Sequence, residues 1–139
     1  MKTAAFPGRY ASLAEISDFV LEAAREADLD EKACYAVQTA VDEACSNIIQ
    51  HAYGGEGKGE IICSVEPSTR GLTIILKDFG KPFHPDQVPD PDLNASLFQR
   101  KIGGLGLYFI RKYMDEIRFD FSAHDGNQLT MVKWKEKNP

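Results

Sequence analysis

The spacing of apolar residues switches three times along this chain, and those switches constrain its fold more than any other feature. Leu13, Ile16, Val20 and Ala24, then Val37, Val41, Ala44 and Ile48, recur every three or four positions. That spacing lines one face of a helix. In "EIICSVE" and "LTIILKD" the spacing falls to two or the run becomes continuous, as strands require. The helical period returns in "LGLYFIRKYMDE". Period two closes the chain in "IRFDFS" and "LTMVKW", a second hairpin around "HDGN". With "KTAAF" as a short leading strand, the order is strand, helix, helix, strand, strand, loop, helix, strand, strand. It predicts an α/β fold, a two-layer sandwich with a mixed, mostly antiparallel sheet and helices on one face.

Local signals place the boundaries. Ser12 and Glu15 in "SLAE" fit a capping box, so the first helix starts there and runs to about residue 28. Asp30 can cap a second helix that stops at Gly54-Gly55. Residues 67–71 form a loop rather than a tight turn between the first two hairpin strands. Pro82, Pro85, Pro89 and Pro91 make residues 79–92 a loop, and "LNASLFQRK" holds room for one short helix. No repeat or linker interrupts the 139 residues, which read as a single domain spanning 1–139.

Composition narrows the function classes. A net charge of −5 leaves no basic footprint for nucleic acid. No apolar run approaches the length of a membrane span, and the first ten residues lack the apolar core of a signal peptide. Cys34, Cys45 and Cys63 are odd in number and include no C-x-x-C pair, so neither a disulfide framework nor a zinc site is expected. A reducing cytoplasm is the default. His51, His84 and His124 are scattered and make no metal cluster.

Three stretches carry candidate chemistry. In "VDEACSNIIQHAYGG", Glu43 and Asn47 lie about 40° apart around the helix axis, on a flank of the apolar stripe. An Asn amide oxygen can serve as a single protein ligand to magnesium, and a Glu one turn away can accept a proton from an attacking hydroxyl. The same spacing also occurs on ordinary solvated helix faces. His51, one turn further, has no role assigned. In "LKDFGKPF", Asp78 shares a strand face with Leu72, Ile74 and Leu76, and a core-facing carboxylate needs a partner. A nucleobase amino group would be one, with Gly80 letting a flat ring approach the backbone; an Asx turn at the strand end is the alternative. In "IGGLGLYFI", Gly103, Gly104 and Gly106 lead into a helix whose free N–H groups suit a phosphate. A flexible hinge would use the same glycines, and the pattern is not a Walker A loop. Thr130 shares a face with Val132 and Trp134. It is expected to turn toward the core near Asp78, where its hydroxyl would meet a purine edge, a trapped water or an ordinary strand partner.

Taken in order, these stretches resemble the GHKL (Bergerat-fold) ATP-binding domains and, within them, the anti-sigma-factor serine kinases of the RsbW and SpoIIAB type. "AVDEACSNIIQHAY" is similar to that family's N box, "DFGKPF" to its first glycine box and "GGLGLYFIRKYMDEI" to its second. The resemblance covers nearly the whole chain. It implies the Bergerat fold, with ATP and magnesium as cofactors. It implies that Asn47 binds the magnesium, that Glu43 is the general base, and that Asp78 reads the adenine amino group with Gly80 beside it. Gly103, Gly104, Leu105 and Gly106 would approach the phosphates, and Thr130 would lie near the adenine.

The resemblance further implies phosphoryl transfer to a serine or threonine of an anti-anti-sigma (STAS-domain) partner, sequestration of a sigma factor, and a homodimer. Two positions depart from the pattern. Pro82 stands where a second glycine of the first box is expected. Some relatives place an Arg just before the second box, where this chain has Ile102 preceded by Arg100 and Lys101. A module that holds ATP without transferring phosphate is therefore the alternative to a kinase. The catalytic half of a histidine kinase ranks below both, because the chain lacks dimerisation helices and a phosphoacceptor-His helix.

Overall fold

The computed structural model describes residues 1–82, 104–122 and 125–136. Five strands form one sheet in the order β1-β2-β3-β5-β4. They are β1 (Lys2–Pro7), β2 (Glu60–Pro67), β3 (Gly71–Asp78), β4 (Glu116–Ser122) and β5 (Gly126–Trp134). Every neighbouring pair is antiparallel, so the sheet is more regular than the mixed one expected. Three helices complete the described fold: α1 (Leu13–Glu26), α2 (Glu31–Asn47) and α3 (Gly104–Tyr113). The α1 helix packs on β2 and β3, and α3 packs on α2 and β4.

Strand alternation sets the two sheet faces. Ile61, Cys63 and Val65 of β2, Leu72, Ile74 and Leu76 of β3, and Leu129 and Met131 of β5 are buried under the helices. They meet Ile16, Val20, Val37, Val41 and Ile49 in one core. The helical stripe Val37, Val41, Ala44 and Ile48 is buried as its spacing predicts. The opposite face, with Ile62, Ile75 and Val132, carries no described helix and stays partly exposed. All three cysteines are free thiols.

Two local expectations meet different outcomes. Asp30 caps α2, its Oδ1 accepting from the Ala33 amide at 2.8 Å. Ser12 does not cap α1. A 3-10 turn over Tyr10–Ser12 runs straight into the helix, Ser12 already has helical angles (φ −78°, ψ −14°), and its side chain makes no capping bond. A capping residue needs extended backbone to turn its side chain back on the first amides, and Ser12 lacks it.

The α2 helix continues as a π-helical turn, Ile48–Ala52, and ends where Gly54 adopts φ 73°. The expected short helix in "LNASLFQRK", the greater part of the proline-rich loop, and Gly103 lie outside the described residues.

Candidate functional site

A cleft opens between the C-terminal half of α2, helix α3 and the ends of β3, β4 and β5. Ala44, Asn47 and Ile48 form one wall, Leu107 and Ile110 a second, and Phe119 and Leu129 a third. Asp78 and Asn127 sit at its sheet end. The cleft is apolar apart from a few placed polar groups, the usual composition of a small-molecule site.

Asp78 is the last residue of β3 and only 5% exposed. Its Oδ1 accepts two hydrogen bonds, from the Gly80 amide at 2.9 Å and from Asn127 Nδ2 at 2.9 Å. Among the described residues Oδ2 receives none. Burial pushes the carboxyl above its ordinary value, while the Asn127 and Gly80 bonds pull it back. The Gly80 bond is the Asx turn weighed from the sequence. It accompanies the cleft position rather than replacing it.

Asn127 was not anticipated. The motif "HDGN" reads as a turn, yet β5 begins at Gly126, and the register pairs Asn127 with Asp78. Asn127 is 6% exposed, and its Nδ2 also donates to the Gly80 carbonyl at 3.0 Å. One amide group thus fixes both the carboxylate and the turn after it. Continuing the β5 alternation two residues earlier, through Asn127, Leu129 and Met131, would have found it.

Thr130 is a correction. It does share a face with Val132 and Trp134, but on that face no described helix packs. Its partners across the sheet are Ile75 and Arg118, both off the core side. Trp134 is partly exposed and lies under the Arg70 guanidinium, 5.3 Å from its ring centre. The Thr130 hydroxyl is buried with no partner among the described residues. Thr130 cannot reach the cleft, and Asn127 holds the place beside Asp78.

Asn47 and Asp78 line the same cleft. Glu43 lies one helical turn before Asn47 on the same helix and is half-buried. Burial raises its carboxyl above the usual range, and the neighbouring Asp42 carboxylate adds to the rise. A half-buried carboxylate with a raised proton affinity is a stronger proton acceptor than an ordinary one. Asn47 offers an amide oxygen and no charge, which fits a magnesium ion held mostly by phosphate oxygens and water.

Gly80 approaches backbone closely: a Cβ there would lie 2.4 Å from the Ala52 carbonyl oxygen. Gly104, Leu105 and Gly106 form the first turn of α3, where N–H groups lack partners within the helix. Arg100, Lys101 and Ile102 lie outside the described residues. His51 falls in the π-helical turn, and its Nε2 is buried without a partner among the described residues.

Residues 6–133 match the family described as histidine kinase-like ATPase domain. The chain is 35% identical over 103 residues to the serine-protein kinase RsbW of Bacillus subtilis, covering 70% of this chain and 62% of that protein. It is 31% identical over 104 residues to the anti-sigma F factor of Clostridium novyi, covering 70% of this chain and 68% of that one. Serine-protein kinase RsbW of Listeria monocytogenes is 28% identical over 129 residues, with 90% and 80% covered. The chain spans 62% of the Bacillus relative it matches, less than two thirds of its length. Among solved structures, a histidine kinase domain from the Erythrobacter litoralis EL346 blue-light activated histidine kinase superposes with a TM-score of 0.54 at 15% identity. It covers 92% of this chain and 61% of that one, and the likeness speaks for the fold.

Proposed function

Because the chain belongs to the histidine kinase-like ATPase domain family, we propose that its cleft binds magnesium-ATP and that it phosphorylates a serine or threonine of an anti-anti-sigma (STAS-domain) partner in the cytoplasm. The observation that carries the reading is Asp78. A buried carboxylate, one oxygen accepting two hydrogen bonds and the other with no partner among the described residues, lies at the end of an apolar cleft whose wall carries Asn47. That second oxygen suits an exocyclic amino group, which adenine has at the edge that guanine fills with a carbonyl. The names of the RsbW and anti-sigma F relatives support the partner class and a sigma factor as the second ligand. The sheet face with Ile62, Ile75 and Val132, half-buried and without a helix among the described residues, supports a homodimer.

ATP would supply the phosphoryl group and carry the magnesium. The chain's own residues do the rest. Asp78 and the Gly80 turn orient the base, Phe119 and Leu129 exclude water around it, and Asn47 holds the cation. The first-turn amides of α3 at Gly104, Leu105 and Gly106 face the phosphates, with Gly103 before them. Glu43 takes the proton of the incoming hydroxyl.

Labelled ATP with magnesium and STAS-domain proteins from the same organism tests this directly. A labelled serine or threonine on the partner is expected; no calorimetric ATP binding at all would sink the reading. Ile102, standing where some relatives place an Arg, favours a second reading, a module that holds ATP without transferring it. ATP binding without labelling of any STAS protein selects that one.

A further inference from the structure

The β2–β3 pairing ends at Ile62 and Lys77. The same register carried two residues further sets Glu60 opposite Phe79, but there the strands have stopped pairing. The Tyr53 hydroxyl stands between them. It donates to the Glu60 carbonyl at 2.6 Å and accepts from the Phe79 amide at 3.0 Å. A phenol has one proton to give and lone pairs to receive, and Tyr53 spends both on closing this fork.

The ring needs room to do so. A Cβ at Gly59 would lie 2.3 Å from the Tyr53 ring, so only glycine lets the phenol reach the fork. Two further contacts join the same pieces. The Lys81 amide donates to the Ala52 carbonyl at 2.7 Å, and Gly80 packs against that same peptide group. Ala52 closes the π-helical turn that continues α2 past Asn47. The end of the helix that carries Asn47 is thus fastened to Phe79, Gly80 and Lys81, the three residues directly after Asp78.

Resting on the nucleotide reading above, we propose that Tyr53 is a positioning residue for base selection. Its hydroxyl, wedged between Glu60 and Phe79, sets where the Asp78 carboxylate presents Oδ2 to the base. Tyr53 touches no ligand in this account; it acts through the Phe79 amide. A tyrosine with a merely structural role would support the fold equally for every nucleotide. A positioning role instead alters discrimination between nucleotides that differ only at the group Asp78 contacts.

The test compares ATP with purine riboside triphosphate, which lacks the 6-amino group, by calorimetry in the unaltered protein and in Tyr53→Phe. Losing the two bonds is expected to shrink the preference for ATP about five- to tenfold, with affinity for the analogue nearly unchanged. Gly59→Ala, which displaces the ring without removing the hydroxyl, is expected to shrink it in the same direction. An unchanged preference in a folded Tyr53→Phe protein overturns the proposal, whatever happens to its melting temperature. If that variant does not fold, an unchanged preference in Gly59→Ala does so. Hydrogen exchange in the unaltered protein gives a check free of variants: the Phe79 amide is expected to be protected, and fast exchange there overturns the wedge. An unaltered protein that binds no ATP overturns this proposal together with the nucleotide reading; one that binds ATP, with preferences indifferent to Tyr53, overturns this proposal alone.

Discussion

Asn127 donates to Asp78 across two strands whose register sets the residues opposite each other, 2.9 Å from Nδ2 to Oδ1. The bond lowers a carboxyl that burial raises. In Asn127→Ala the carboxyl rises further, and the Gly80 carbonyl loses a donor as well. Unfolding titrations are expected to show a loss of about 1–3 kcal/mol at neutral pH. The loss should be smaller in acid, where Asp78 is protonated in both states. A loss independent of pH would separate Asn127 from the Asp78 charge.

Asp78→Asn makes the complementary prediction. Asp78 titrates above its ordinary value of 3.8 in the folded protein, so the fold favours the protonated form. Its contribution to stability is therefore full below the ordinary value and is lost as pH rises through the folded value. The asparagine variant keeps an acceptor for Gly80 and Asn127 and has no charge to bury. It is expected to melt above the unaltered protein at neutral pH, with the gap closing toward acid. Calorimetry should show ATP bound about tenfold weaker or worse, because the acceptor Oδ2 is replaced by an amide NH2.

Glu43→Gln separates binding from transfer. The proposed role of Glu43 is to take a proton rather than to hold the nucleotide, so ATP affinity is expected to hold. Phosphoryl transfer should fall about 100-fold or more if its proton affinity is used in the reaction. Transfer at the unaltered rate would remove Glu43 from the chemistry.

Gly80→Ala forces a methyl group against the Ala52 carbonyl. A clash with backbone is relieved only by moving the turn or the helix end, so a cost of about 1–3 kcal/mol is expected in denaturant unfolding, together with weaker ATP binding.

The helices and hairpins were legible because period and burial agree: Val37, Val41, Ala44 and Ile48 are all buried, and β2 and β3 fall where the alternation begins and ends. The face of β5 was not legible. Thr130, Val132 and Trp134 make an apolar set that resembles a core face, but register with β3 puts Leu129 and Met131 inside. Trp134 finds its cover in Arg70 rather than in the core. Asn127 was hidden by turn chemistry, since Asp125-Gly126-Asn127 reads as a reversal until the pairing of Gly126 with Ser122 is known. Ser12 failed for a similar reason: a side chain suited to capping does not reveal the 3-10 turn before it.

Thr130→Val tests the corrected face. Its hydroxyl is buried without a partner among the described residues, so removing it is expected to leave ATP affinity unchanged and to stabilise the fold by about 1 kcal/mol. A fall in affinity would return Thr130 to the nucleotide.

Adjacent residues on β3 and β5 look in opposite directions. Leu76 and Asp78 turn to the helix side, Ile75 and Lys77 to the side where no described helix packs; Leu129 turns inward and Thr130 to the other face. Cleft and opposite face are thus separated by the thickness of one sheet, yet they are written into the same two strands. Whatever occupies the cleft and whatever seats on the opposite face would rest on the same strand backbone, so a substitution that shifts β3 or β5 would reach both.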